Sequence, residues 1–130
     1  MNLKKIFRRV IILDFLLILL LFISAFFQSE IVIAFNEGMY AQNTFNDMLD
    51  IISLFFLLFY LVNLYLLLNF KKIGKQMYLF LFIFGSIFSL LLGISAYDPI
   101  FYVLDGLNWT ISGVILTFLY FTPIKKEFEK

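Results

Sequence analysis

Residues 51–72 read IISLFFLLFYLVNLYLLLNFKK, an uncharged and almost wholly apolar run that stops at Lys71 and Lys72. As a helix, residues 51–70 extend about 30 Å, the thickness of the hydrocarbon core of a bilayer. Three further runs of this kind follow the same logic: Val10–Phe27, Met77–Ala96 and Pro99–Phe121. The chain has 130 residues, 63% of them hydrophobic, with a mean hydropathy of +1.00. Water-soluble domains hold about 45–50% apolar residues, so a soluble core cannot absorb this surplus. The reading is an all-α polytopic membrane protein, one domain over 1–130, with four transmembrane helices in an up-down bundle. Their expected bounds are about 6–27, 48–70, 77–96 and 99–122, with a long connection over 28–47.

The charges order this bundle. All 10 Lys and Arg residues fall into three clusters: Lys4, Lys5, Arg8 and Arg9; Lys71, Lys72 and Lys75; Lys125, Lys126 and Lys130. Basic clusters at every second boundary are the pattern of the positive-inside rule. It predicts both termini in the cytoplasm, in a bacterial cytoplasmic (inner) membrane. The segments expected outside hold Glu30, Glu37, Asp47, Asp50, Asp98 and Asp105 and no base. Anionic lipid headgroups suit the basic face, at about 1 kcal/mol per Lys or Arg near the surface; nothing points to nucleic acid. A basic start before an apolar stretch also resembles a signal peptide. Asp14 interrupts that stretch, and Ile23 stands where a small residue precedes a cleavage site, so an uncleaved first helix is expected.

Cysteine and histidine are both absent. Thiol chemistry, haem ligation through either residue and zinc sites of the usual kind are thereby excluded. No nucleophile–base pair can be assembled, so neither an enzyme nor a cofactor is expected.

Within 28–47, Ile31–Phe35 is too short to span. Met39, Tyr40, Phe45 and Met48 are spaced to line one side of a short interfacial helix, either an ordered cover of the bundle mouth or a docking element. Lys71–Gln76, with Gly74, reads as a tight turn. Asp98-Pro99 is a helix start, Asp as cap and Pro at the first helical position. Asp105-Gly106 is a candidate kink in the fourth helix, and Pro123 ends it. The halves of the chain show no internal repeat, so the signature of secondary transporters is missing.

Two residue sets carry functional expectations. Gly85, Ser89 and Gly93 on the third helix, and Gly106, Thr110, Gly113 and Thr117 on the fourth, fall at helical spacing. Small residues let helices approach closely in lipid. A hairpin about Pro99 pairs Gly93 with Gly106, Ser89 with Thr110 and Gly85 with Gly113; the alternative use is contact with a second copy or a larger partner. The other set centres on Asp14, the one ionisable residue inside the apolar run of the first helix. It lies about 6 Å below the hydrocarbon edge, where a carboxylate is costly. Its candidate partners are Asn63, Asn69, Thr117, Tyr120, Arg8 and Arg9. Asp14, Asn63 and Thr117 together form a candidate intramembrane polar site, structural or protonatable. Small multidrug exporters also carry a carboxylate on the first of four helices, but the long outer segment here departs from their short loops.

Asp98, Asp105, Asn108, Asp47 and Asp50 form an acidic rim, read mainly as hydration of the outer mouth. Trp109, Tyr97 and Tyr102 read as an outer aromatic belt, and Tyr78 and Tyr120 as an inner one. Asn108-Trp109-Thr110 matches a glycosylation sequon only by coincidence at the membrane edge. After the fourth helix, Ile124, Lys125 and Phe128 match a tail that reads approximately Val-Lys-x-Thr-Phe, preceded by Ser and Arg. In this, and in the order of its helices and loops, the chain resembles a family of uncharacterised four-pass bacterial inner-membrane proteins. Phe121 and Pro123 stand where that family has Ser and Arg, and Glu127 replaces its Thr. The resemblance implies a four-pass membrane fold and brings no activity with it. Two roles are expected: an accessory, assembly or interaction subunit of a membrane complex, or a small oligomeric transporter or channel built on Asp14.

Overall fold

Four of the helices are long and apolar enough to cross a membrane. In a computed structural model that describes residues 2–40, 46–91 and 95–129, α1 covers Leu3–Ser24 and a 3₁₀ turn, Ala25–Phe27, extends it. Then come α2 (Glu30–Tyr40), α3 (Asn46–Leu68), α4 (Lys72–Leu91), α5 (Pro99–Phe121) and a 3₁₀ tail, Pro123–Phe128. No strand occurs among the described residues. Helices satisfy every interior backbone group within the segment, which lipid demands. The four long helices run up and down, with α1 packed chiefly on α5 and α3 on α4. Residues 2–9, 69–76 and 122–129 gather at one end, the basic end. The link 95–98 and α2 lie at the other, the acidic end.

The densest packing lies toward the basic end. Phe7, Ile11, Leu67, Ile115 and Leu119 are fully buried there, together with Phe128 of the tail. On α1 the buried residues are Phe7, Ile11, Asp14 and Leu17, a single stripe at helical spacing. The 3₁₀ tail folds under the bundle, and the Phe7 ring meets the rings of Phe70, Phe118 and Phe128, each at 5.8 Å. Thr122 helps set the tail's direction, its Oγ1 accepting the Ile124 N–H at 3.3 Å and donating to the Phe118 carbonyl at 2.8 Å. Toward the acidic end the helices leave apolar grooves. One of about 430 Å³ lies between α3 and α4, and one of about 530 Å³ is bounded by α1, α3 and α5.

Several expectations about the connections are corrected. The turn between α3 and α4 is not 71–76 but the three residues before Lys72. Phe70 takes a left-handed φ of 53°; its N–H bonds the Leu67 carbonyl and that of Lys71 the Leu66 carbonyl, both at 3.0 Å. These are the two bonds of a Schellman motif, so α4 starts at once. Gly74 is needed for close approach, and not for a turn. Asp98 precedes Pro99 as expected, but its side chain makes no cap bond. Asp105 and Gly106 do not break α5, which is continuous from Pro99 to Phe121. The long connection holds α2, residues 30–40; of the four residues expected on one short helix, Met39 and Tyr40 end α2, Met48 belongs to α3, and Phe45 lies outside the described residues. The Asn36 amide holds α2 to the α4–α5 link, donating to the Ala96 carbonyl at 3.0 Å and accepting the Ala96 N–H at 2.9 Å.

Candidate functional site

Asp14 is fully buried. It belongs to the core stripe of α1, three residues after Ile11, so the packing that seats Ile11 also draws the carboxylate inward. None of its expected partners holds it. Thr117 is exposed and donates to the Gly113 carbonyl of its own helix, Asn69 donates to Tyr65, and Tyr120 donates to the Lys75 carbonyl. The Arg8 guanidinium lies over the Phe70 ring, 5.3 Å from its centre.

The partner is Tyr60 of α3, whose Oη donates to Asp14 Oδ2 at 2.6 Å. That is the length of a charge-assisted O–H···O bond. Against Tyr60 packs Tyr78 of α4, with ring centres 6.1 Å apart. Tyr78 is 1% exposed, which removes it from the aromatic belt predicted for it: starting at Lys72, α4 carries it about 9 Å along the helix axis. Ser112, on the buried face of α5, borders the Tyr78 hydroxyl. One turn toward the basic end, Asn63 is fully buried and donates to the Gly74 carbonyl at 2.8 Å. All four spanning helices thus contribute a buried polar side chain, Asp14, Asn63, Tyr78 and Ser112, and the half-buried Tyr60 joins them.

Two oxygens of this cluster, Asp14 Oδ1 and Asn63 Oδ1, have no hydrogen-bond partner, while the Tyr78 hydroxyl lies beside those of Ser112 and Tyr60 without a well-formed bond to either. Buried polar atoms are seldom left so. Of the residues predicted for an intramembrane polar site, the fold brings Asp14 and Asn63 inside and leaves Thr117 outside. Tyr60, Tyr78 and Ser112 were missed, because tyrosines and a serine in apolar helices read as belt and packing residues. The available signal was Tyr60 and Asn63 three residues apart on one helical face.

Among the described residues, the expected pairing of Gly85 with Gly113 and of Ser89 with Thr110 is not formed. A Cβ on Gly85 would meet the Phe56 ring of α3 at 3.0 Å, so its close neighbour is α3 and not Gly113. Ser89 and Thr110 are exposed and bond within their own helices, to the Ser86 and Gly106 carbonyls. Gly106 and Gly113 have open space where a Cβ would stand. Gly93 lies outside the described residues. What joins α4 and α5 includes large residues, with the Phe82 and Trp109 rings edge to face at 5.5 Å. No group of three acids among the described residues forms a metal site; Asp98 of the acidic rim instead binds Ser29. No family model matches the chain, and neither a curated protein nor a solved structure shows significant similarity to it.

Proposed function

We propose that this chain is a small non-enzymatic membrane protein, an accessory, assembly or interaction subunit of a membrane complex. The observation that carries this reading is the face of α5 along Gly106, Thr110, Gly113 and Thr117. Among the described residues nothing covers it, with open space where a Cβ would stand on either glycine. Small residues at this spacing admit a second helix to backbone contact, the main source of helix affinity in lipid. The basic clusters at alternate helix ends support a topology with both termini in the cytoplasm, and we place the chain in a bacterial inner membrane on that reading.

The test is a mild-detergent pull-down of tagged chain, with Gly113→Leu beside the wild type. The open space at Gly113 leaves the bundle able to accept the larger residue, so unchanged melting with loss of a stoichiometric membrane partner is expected. A partner retained by Gly113→Leu would sink the reading. A second reading, a small oligomeric carrier or channel, is favoured by one observation: Asp14 is buried with one oxygen free. Flux in vesicles that disappears in Asp14→Asn would support it.

A further inference from the structure

We propose that the groove between α1 and α3 seats one acyl chain of an anionic phospholipid whose phosphate is held by Arg8. The inference rests on the membrane-spanning fold and on neither role proposed above. α1 packs chiefly on α5 and α3 on α4, so α1 and α3 meet less closely. Between them the hollow of about 530 Å³ continues, past Phe15 and Leu61, into another of about 370 Å³ nearer the basic end. Together they form one groove from Ile11 to Ala25, about 21 Å along the helix axis. Half of a bilayer's hydrocarbon is about 15 Å thick, so the groove accommodates a chain of the leaflet at the basic end. Its walls are apolar, with Phe15, Leu19 and Phe22 exposed along it and Tyr65 on the rim. Of the residues that line it only Ala25 is small. A second helix needs small residues to approach closely, whereas a flexible chain fills a gap between bulky side chains.

The mouth of this groove at the basic end carries a positioned cation. Arg8 precedes Ile12 by four residues and Phe15 by seven, so it stands on the stripe of α1 that lines the groove. Its guanidinium reaches across to the end of α3 and lies 5.3 Å from the centre of the Phe70 ring. An arginine stacked in this way keeps N–H groups for a planar, bidentate contact with phosphate. No carboxylate among the described residues takes that place. The basic end sets 10 Lys and Arg against two acidic side chains, Glu127 and Glu129. Glu127 pairs with Lys4 at 2.8 Å and Glu129 with Lys75 at 3.7 Å. The surplus of base favours a lipid of net negative charge over a zwitterionic one. Arg8 and the first groove residue, Ile12, are one turn apart, so a single molecule meets the cation with its phosphate and the groove with its chain.

The experiment is thermal melting of the purified full chain in non-ionic detergent, with dioleoyl phosphatidylglycerol titrated against dioleoyl phosphatidylcholine and bound lipid counted by native mass spectrometry. The expected result is a saturable rise in melting temperature with phosphatidylglycerol, one such lipid retained, and little response to phosphatidylcholine. Arg8→Gln is expected to lower the apparent affinity for phosphatidylglycerol about tenfold, the loss of one charged contact. Arg9→Gln removes the same charge from the same end but off the stripe, and keeps the wild-type response. Leu61→Trp fills the hollow, so it melts no lower than wild type in detergent alone and loses the response. If Leu61→Trp does not fold, the comparison of Arg8→Gln with Arg9→Gln decides alone. Equal stabilisation by the two lipids overturns the proposal. So does an equal loss in Arg8→Gln and Arg9→Gln, which makes the attraction a diffuse one. A dimer that retains no lipid and is broken by Leu61→Trp overturns it as well, and gives the groove to a second copy of the chain.

Discussion

Asp98 grips Ser29 across 69 residues of sequence, its Oδ2 accepting the Ser29 backbone N–H at 2.7 Å and its Oδ1 the Ser29 hydroxyl at 3.0 Å. Ser29 is the residue before α2, and its carbonyl accepts the Ile33 N–H at 3.0 Å. One carboxylate therefore pins the start of α2 to the start of α5. Asp98→Ala is expected to free that start while the spanning helices stay packed. Hydrogen exchange of the amides in 30–40 should speed up roughly tenfold, the equivalent of about 1.4 kcal/mol. Exchange unchanged there would show that the Asn36–Ala96 pair holds α2 by itself.

Gly74 leaves no room for a side chain. A Cβ there would stand 2.9 Å from the Leu66 Cβ, 3.1 Å from the Leu66 carbonyl carbon and 3.2 Å from the Leu67 nitrogen. Two of those atoms are backbone, so relief requires α3 and α4 to part. Gly74→Ala should lower stability by about 1–3 kcal/mol, the usual cost of overpacking. It should also disturb the bond from Asn63. Gly106→Ala, made in open space, is the control and is expected to melt as wild type. Melting of both variants in one detergent decides the matter.

Phe70 combines strain with packing. A left-handed backbone costs a residue with a Cβ about 1–2 kcal/mol, and the ring recovers this against Phe7 at 5.8 Å and Phe128 at 5.4 Å. Phe70→Ala loses the rings and keeps the strain, whereas Phe70→Gly loses the rings but relieves it. Both should destabilise, and the glycine variant should be the better of the two by about 1 kcal/mol, less its greater freedom when unfolded. An alanine variant as stable as the glycine would remove strain from the account.

Phe128 is the plug of the basic end, 1% exposed among Phe7, Phe70 and Ile124. Phe128→Ala should cost about 3 kcal/mol, as for a buried phenylalanine. The neighbouring Lys4–Glu127 pair, 2.8 Å apart with Lys4 half exposed, should contribute at most about 1 kcal/mol. Lys4→Met is therefore expected to change melting little. A reversal of that order would make the tail an electrostatic attachment and not a packed one.

The helices were legible because one force sets them. An apolar run of about 20 residues that enters lipid must close its own backbone bonds, so Ile51–Phe70 reads as a helix before any contact is known. The start of α5 at Pro99 followed from the missing proline N–H. The start of α4 did not, because its lysines read as loop while a phenylalanine at φ 53° ended α3. Asp14 was legible by its charge alone. Its partner was not, because Tyr60 is one of 7 tyrosines in the chain, and which of them reaches Asp14 depends on the mutual depth and rotation of α1 and α3.

The seam of small residues marks the boundary between the two kinds of knowledge. Its spacing was real, but spacing does not say which helix faces it: Gly85 met Phe56, and Gly106 and Gly113 met nothing. In water, the apolar face of a helix points inward, so periodicity reveals the core. Lipid is as apolar as a protein interior and gives no such contrast. The sequence by itself therefore determined how many helices are long enough to span and how charge is distributed along them. Only the tertiary structure decided which faces meet, that Tyr60 reaches Asp14, and that the tail closes the basic end, because shape and a few hydrogen bonds choose among faces that are equally apolar.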